Sequence, residues 1–319
     1  MATHAIILDT DPGIDDAMAL FLALRSPEIT IVGLTTVFGN STVEATTRNA
    51  LNLLHVAGRT DIPVAQGAAR PMVLSLGKTG EFVHGQDAMG DIGWTDVLDP
   101  DLKPVDQPAA QFIVEQVMSN PGQITLAAIG PLTNLALALQ LEPRIAQAAR
   151  GVVIMGGSVS APGNVSPTAE ANIYNDPHAA ELVFGAGWAL TMVGLDVTTA
   201  VRMDEPRFAA LRNSADLLGR FVGQIAPRYQ RFHHERYGYQ GGAVDVHDPS
   251  AIAYLIDPTL FRGHEWRMVV PVDGPARGTT IADRRGHFLS TPKVNCLTEV
   301  DAPRVLNMLQ ARLATSSAI

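Results

Sequence analysis

Eight residues near the start constrain this chain more than any other stretch: Asp9-Thr10-Asp11-Pro12-Gly13-Ile14-Asp15-Asp16. The apolar run Ala5-Ile6-Ile7-Leu8 before them reads as a buried strand. Ala17-Met18-Ala19-Leu20-Phe21-Leu22-Ala23-Leu24 after them reads as a buried helix ending near Ser26-Pro27. Four carboxylates therefore crowd one tight strand-to-helix turn, where like charges repel. A divalent cation resolves the conflict, and all-oxygen ligands suit a hard ion, Ca²⁺ or Mg²⁺. Helix capping explains Asp15 or Asp16. It leaves Asp9 and Asp11 at the carboxyl end of a strand, where open α/β sheets bind ligands.

Two familiar motifs are excluded. An EF-hand loop requires a third oxygen ligand where Gly13 stands and a Glu at the twelfth position, which is Leu20. The Asp-x-Asp start of the haloacid-dehalogenase phosphatases requires Thr or Val at the fifth position, again Gly13.

The chain has 319 residues and a net charge of −9, from 23 Lys plus Arg against 32 Asp plus Glu. It is long enough for a large core. The acidic balance argues against nucleic acid or an anionic membrane as partner. A single cysteine, Cys296, permits no internal disulfide and fits a cytoplasmic location. Met1-Ala2-Thr3-His4 lacks the basic start of a signal peptide, and no apolar run reaches membrane-spanning length.

Strand and helix patterns alternate through residue 195. Strands are expected at 29–37, 63–65, 124–129, 151–155 and 190–195, and helices at about 42–58, 108–120, 133–141 and 177–184. This alternation predicts an α/β fold: a doubly wound, mainly parallel central sheet flanked by helices. Asn40 follows the second strand and lies on the same rim as Asp11. Gly130 allows a sharp bend that frees the Ile129 carbonyl toward that rim. The segment 67–106 is patterned weakly, has the length of a binding loop or lid, and holds His84. The segment 163–177 is polar and irregular, with Asn164, Glu170 and Asn172 close together, a set able to hydrogen-bond a polyol. Beyond Thr199 a long helix is expected over 215–236, then a helix over 250–256 after Val246-His247-Asp248-Pro249. Extra C-terminal strands near 268–272 and a helix over 303–314 finish the chain.

The N-terminal block resembles the signature of the inosine–uridine-preferring nucleoside hydrolases. The likeness spans nearly the whole chain, as a single domain over 1–319. Phe38-Gly39-Asn40, Val83-His84-Gly85, Gly130-Pro131-Leu132-Thr133-Asn134, Gly163-Asn164-Val165, Ala169-Glu170-Ala171-Asn172 and Val246-His247-Asp248-Pro249 recur in the family's order.

The resemblance implies a Ca²⁺ site made by Asp11, Asp16, Asp248 and the backbone oxygen of Ile129, with water and the ribose hydroxyls completing it. Asp11 takes a proton from the metal-bound water. Asp15, Asn40, Asn164, Glu170 and Asn172 hold the ribose, and Asp9 supports the turn. His247 is the family-matched acid at the leaving base. The implied reaction is hydrolysis of the N-glycosidic bond of ribonucleosides, inosine and uridine among them, to ribose and free base. The chemistry is consistent with this. Three carboxylates against a doubly charged ion leave net negative charge, which favours an oxocarbenium-like transition state. His233 and Tyr237 lie one helical turn apart and can reach the base together with His84. Purine-specific relatives stack the base between tryptophans and lack the histidine. Trp94, Trp188 and Trp266 fall in none of the matched blocks, which favours the base-non-specific branch. The implied partner is a small nucleoside within salvage metabolism, and the implied assembly a homodimer or homotetramer.

Two alternatives keep the pocket. One is a hydrolase of a larger ribosyl conjugate, which needs room and basic residues for phosphate. The other is a non-catalytic Ca²⁺-dependent ribose sensor.

Overall fold

The computed structural model describes residues 4–93, 99, 101–287 and 290–314. Its strands are β1 (His4–Thr10), β2 (Ile29–Thr36), β3 (Val64–Gln66), β4 (Ile124–Ala128), β5 (Gly151–Met155), β6 (Leu190–Val193), β7 (Arg202–Met203), β8 (Val244–Asp245), β9 (Phe261–Val269), β10 (Ile281–Asp283) and β11 (Lys293–Val300). Nine form one sheet in the order β10-β9-β11-β6-β5-β4-β1-β2-β3, and β7 pairs with β8 in a small second sheet. From β3 across to β11 every pairing is parallel, whereas β9 is antiparallel to both β11 and β10. The expected doubly wound, mainly parallel sheet is therefore present.

Strand order decides where a site can form. The chain runs from β1 outward to β2 and β3, then returns to place β4 on the other side of β1. Helices on either side of this reversal leave a crevice at the carboxyl ends of β1 and β4. Asp11 follows β1 there, and Ile129 follows β4.

Side chains alternate across each strand, so one strand feeds two cores. Ile6 and Leu8 of β1 pack with Phe21, Phe221, Ile252 and Leu309 on one face. Ile7 packs with Phe112, Leu135, Val183 and Phe184 on the other. The first face carries the helices Ile14–Leu24, Leu217–Tyr237, Asp248–Ile256 and Ala302–Ala314, and the second Ala109–Ser119, Thr133–Leu141 and Pro177–Gly185.

Several boundaries differ from the sequence reading for identifiable reasons. The first helix begins at Ile14, because Gly13 is its N-cap and Asp16, three residues in, accepts the Gly13 N–H. The expected irregular segment contains a short helix, Ala171–Asn175, capped by the Glu170 side chain. Residues 205–237 form two helices, Glu205–Arg212 and Leu217–Tyr237, the second closed by Gly238 in the left-handed region at φ 69°. The C-terminal strands are longer and more numerous than expected. Only Phe261 and Met268 of β9 are buried, so its sequence carries little apolar pattern. Between 67 and 106 the helix Glu81–His84 is the one helix among the described residues. Trp94 lies outside the described residues.

Asp216 ties the long helix to the first one. Its carboxylate accepts the N–H groups of Leu218 and Gly219 and also pairs with the Arg25 guanidinium, both side chains being buried. Replacement by Ala removes the cap and strips this carboxylate from a buried cation. We expect Asp216→Ala to lose roughly 3–5 kcal/mol of unfolding free energy in urea titrations. Asp216→Asn keeps a capping oxygen and should lose less.

Candidate active site

The turn after β1 is organised by Asp16. Its Oδ1 accepts the Thr10 hydroxyl at 2.6 Å and the Asp11 N–H at 3.2 Å. Its Oδ2 accepts the Gly13 N–H at 2.9 Å and the Asn40 side-chain amide at 3.0 Å. Asn40 also grips Asp11, donating its backbone N–H to Oδ2 at 2.7 Å and its amide to the Asp11 carbonyl at 3.2 Å. Two glycines make room for that carboxylate. A Cβ at Gly39 would lie 2.0 Å from Asp11 Oδ2, and one at Gly130 would lie 2.5 Å from Oδ1. Asp11 Oδ1 is buried without a donor.

Asp9 stands on the other side of β1. Its Oδ1 accepts Thr35 Oγ1 at 2.6 Å and the Asn134 amide at 2.7 Å, joining β1 to β2 and to the helix after β4. Asp248 opens the helix Asp248–Ile256, with His247 as its N-cap. Carboxylate oxygens of Asp15, Asp16 and Asp248 lie within 4.8 Å of one another, and all three residues are buried.

Such crowding has an electrostatic cost. Burial, reinforced by repulsion from Asp16, raises Asp15 to about 7. Burial and then the neighbouring carboxylates hold Asp11 and Asp248 well above the ordinary aspartate range. Burial raises Asp16 as well, against the hydrogen bonds from Thr10 and Gly13. Asp9 is raised to about 7 by burial. The donor set is all oxygen, Asp11 Oδ1 is orphaned, and glycines clear the space around it. These features fit a hard divalent cation.

A cavity of about 320 Å³ opens above this turn. Asp15, Asn40, His84, Ile129, Asn164, Glu170, Asn172, His233, Tyr237, His247 and Asp248 line it. The structure thus gathers these candidates, drawn from segments distant in sequence, around one cavity, with Asp11 and Asp16 beneath. Asn172 donates its amide to the Ile129 carbonyl at 2.8 Å and to Met155 at 3.1 Å. Glu170 accepts backbone N–H groups from Gly157, Asn172 and Ile173, and burial raises it to about 6. The buried Asn164 Oδ1 has no hydrogen-bond partner.

Three histidines form the opposite wall. His84 Nδ1 accepts the Ile14 N–H at 3.1 Å. His233 Nδ1 lies 3.0 Å from the Tyr229 carbonyl, and its Nε2 is 4.0 Å from Asp245. His247 Nδ1 lies 2.8 Å from Thr198 Oγ1. Burial lowers His84 and His247 to about 3 and His233 to about 4. All three rings are therefore neutral near pH 7.

Sequence reading overlooked Tyr229, one turn before His233. Its hydroxyl donates to Asp15 Oδ2 at 3.3 Å, and its ring stacks on His84 with centroids 5.6 Å apart. Extending the His233–Tyr237 helical row back by four residues would have found it. Phe82 and Phe232 also line the cavity and meet edge to face. Trp188 is a core residue donating to the Val183 carbonyl, and Trp266 stacks on His264 in β9; neither lines the cavity.

The family profile of the inosine-uridine preferring nucleoside hydrolases matches residues 6–307. The chain belongs to this family. It is 41% identical over 319 residues to probable uridine nucleosidase 2 of Arabidopsis thaliana, covering 98% of each chain. It is 42% identical over 288 residues to the non-specific ribonucleoside hydrolase RihC of Salmonella newport, covering 90% of each. Among solved structures, the plant nucleoside hydrolase PpNRh1 enzyme superposes with a TM-score of 0.92 at 36% identity, over 98% of this chain and 99% of that one. Family membership makes the chain a nucleoside hydrolase, an enzyme that cleaves N-glycosidic bonds.

The buried carboxylates give metal-free protein a distinctive pH response. A carboxyl whose folded pKa is raised stabilises the fold while protonated, and that contribution is lost as pH rises through the folded value. For Asp9 and Asp15 this loss begins at the ordinary aspartate value and ends near pH 7, so only its tail lies above 7. The histidines act in the opposite sense, but below their ordinary value of 6.5. With a chelator present, Tm should therefore rise by roughly 1–2 °C as pH falls from about 8.5 to about 7. Saturating divalent cation should flatten this trend by holding the carboxylates ionised. Calorimetry with and without cation checks both parts.

Proposed function

We propose that the chain is a Ca²⁺-dependent ribonucleoside hydrolase that converts inosine, uridine and related nucleosides to ribose and free base. The observation that carries this reading is the orphaned Asp11 Oδ1, buried near the clustered Asp15, Asp16 and Asp248 carboxylates under a cavity of about 320 Å³.

Asp11, Asp16, Asp248 and the Ile129 carbonyl would hold the ion. When bound, it supplies Lewis-acid activation of water and an anchor for the sugar diol. The remaining steps belong to the protein. Asp11, with a free carboxylate oxygen, accepts the proton of the attacking water. Asp15 and Asn40 bind the lower ribose hydroxyls, and Asn164, Glu170 and Asn172 bind the rest of the sugar, which orients the anomeric carbon. Excess negative charge beneath the ring stabilises the oxocarbenium-like transition state. His247, a neutral ring, donates a hydrogen bond that offsets the charge building on the departing base, and His84, His233 and Tyr237 line its side of the cavity.

The continuous nine-stranded sheet supports reading 1–319 as one domain. The single, buried cysteine supports a cytoplasmic location. Among the described residues no helix is long and apolar enough to cross a membrane. A role in nucleoside salvage and a homodimeric or homotetrameric assembly belong to the same proposal, on family resemblance.

One observation favours a second reading. Lys78 and Arg236 also line the cavity, a feature suited to the phosphate of a larger ribosyl conjugate. A panel of inosine, uridine, adenosine, cytidine, guanosine and ADP-ribose, with and without chelator, decides between them. We expect nucleoside turnover that chelator abolishes and Ca²⁺ restores. A site that reads hydroxyls leaves buried polar groups unpaired when the hydroxyl is missing, so 2′-deoxyinosine should fall by on the order of 10⁴-fold. Turnover of ADP-ribose alone would favour the second reading, and binding without any turnover would identify a sensor. Equal rates for inosine and 2′-deoxyinosine would remove the assigned ribose contacts.

His247 has its own test. Inosine carries a poor leaving group, so His247→Ala should slow its hydrolysis by roughly 10²–10⁴-fold. A nitrophenyl riboside departs as a stable phenolate and should be nearly indifferent. Equal losses on both would mean that His247 positions Asp248 or the sugar instead.

A further inference from the structure

One contact at the cavity has no role in the scheme above. Thr198 ends the short helix Leu195–Thr198 and is fully buried. Helical threonines commonly turn their hydroxyl back onto the preceding turn. Thr199, next in the chain, does so, donating to the Leu195 carbonyl at 2.7 Å. Thr198 does not. Its hydroxyl lies 2.8 Å from His247 Nδ1, the one hydrogen-bond partner of that hydroxyl among the described residues.

We propose that Thr198 is a positioning residue that fixes the His247 ring as its Nε2–H tautomer, the form able to donate to the leaving base. The inference rests on the hydrolase reading for its substrate and on geometry for the tautomer. A buried hydroxyl shut off from water gives its proton to the acceptor it faces. Here that acceptor is Nδ1, which must then carry a lone pair. The ring's single proton is left on Nε2. The other tautomer would set the Thr198 hydroxyl against an Nδ1–H and leave a lone pair on Nε2, unable to donate to the departing base.

The fold places the two residues together by means of the small second sheet. Arg202 of β7 pairs with Asp245 of β8, Met203 with Val244, and the Val246 N–H bonds to the Val201 carbonyl at 2.9 Å. Thr198 ends the helix that leads into this ladder, and His247 follows the ladder at the start of the next helix. The small sheet therefore registers the hydroxyl against the ring. His247 is also the N-cap of the helix that starts at Asp248, so its backbone is held from the other side.

The test uses Thr198→Val, which removes the hydroxyl at nearly constant volume, and Thr198→Ser, which keeps it. In a serine-protease triad, loss of the tautomer-setting partner costs on the order of 10⁴-fold in kcat. A neutral hydroxyl sets a weaker preference, and we expect Thr198→Val to lower kcat on inosine by about 10- to 100-fold. Turnover of nitrophenyl riboside should stay within about twofold of wild type, since that leaving group needs no donor. Thr198→Ser should restore most of the inosine rate. Nitrogen-15 spectra of the ring in wild-type protein supply a readout independent of folding of the variants. They should show Nε2 protonated and Nδ1 bare, and Thr198→Val should mix the two tautomers. Equal losses on both substrates would reduce Thr198 to a packing role. A protonated Nδ1 in wild type would overturn the proposal outright. If wild type turns over neither substrate, the hydrolase reading fails, and the spectrum still decides whether Thr198 sets the ring.

Discussion

The Asp16 carboxylate is the interaction on which the site depends. Its two oxygens accept four donors, from Thr10, Asp11, Gly13 and Asn40. Those donors come from the end of β1, the turn itself, the first helical N-cap and the loop after β2. A buried carboxylate costs several kcal/mol unless it is paired or hydrogen-bonded. Here the donors that offset the cost are the groups that must be fixed for a site to exist. Helix capping and site building are therefore one arrangement. Asp16 caps the helix through Gly13 while the Asn40 amide, on the same oxygen, carries its hold across to Asp11.

The crossing of the sheet supplies the rest. The Asp11 carboxylate can lie between β1, β2 and β4 only because Gly39, after β2, and Gly130, after β4, bring no side chain toward it. Gly39 and Gly130 sit where a Cβ would strike either carboxylate oxygen. Asn134, at the start of the helix after β4, donates to Asp9 and to the Thr36 carbonyl and accepts the Ala68 N–H. One amide thereby joins β1, β2 and the segment after β3. Asn49 performs a similar task from the second helix, donating to the Pro12 and Asp87 carbonyls, so the loop that carries His84 is fastened to the aspartate turn.

Much of this was legible in the sequence, for a physical reason. The parallel strands are buried on both faces, so β1, β4 and β5 are short unbroken apolar runs, and the turns after them carry Gly, Asn and Asp in a fixed order. Those segments define the sheet and its functional rim. The C-terminal strands were hard to read because β9 buries only Phe261 and Met268 and pairs antiparallel, so little hydrophobic contrast marks it. Tyr229 was overlooked because a tyrosine on an amphipathic helix is ordinarily core. Only the packing of that helix over the first one brings its hydroxyl to Asp15. Thr198 and Asp245 carry no local signal either. Their significance comes from the β7–β8 pairing, which joins segments more than 40 residues apart.

Tautomers are the property furthest from the sequence, because backbone groups elsewhere in the chain set them. The Ile14 N–H donates to His84 Nδ1, which leaves the proton of that neutral ring on Nε2. The Tyr229 carbonyl can only accept, so His233 donates from Nδ1 and keeps a lone pair on Nε2. Burial lowers the pKa of both rings, and that of His247, far below neutral, so all three stay uncharged. The histidine wall of the cavity is therefore built of neutral rings whose dipoles are fixed in direction by their hydrogen-bond partners. The floor is the reverse, a concentration of acidic groups. On the proposed reading this division suits the reaction. Positive charge develops on the ribosyl ring, next to the acidic floor, while the base departs against donors and acceptors already aligned. Preorganised dipoles need no reorientation as that charge develops, and in a cavity sheltered from water they act at low dielectric. Charged histidines above the sugar would oppose the floor's field at the same ring, so the burial that keeps them neutral serves the chemistry as well as the packing.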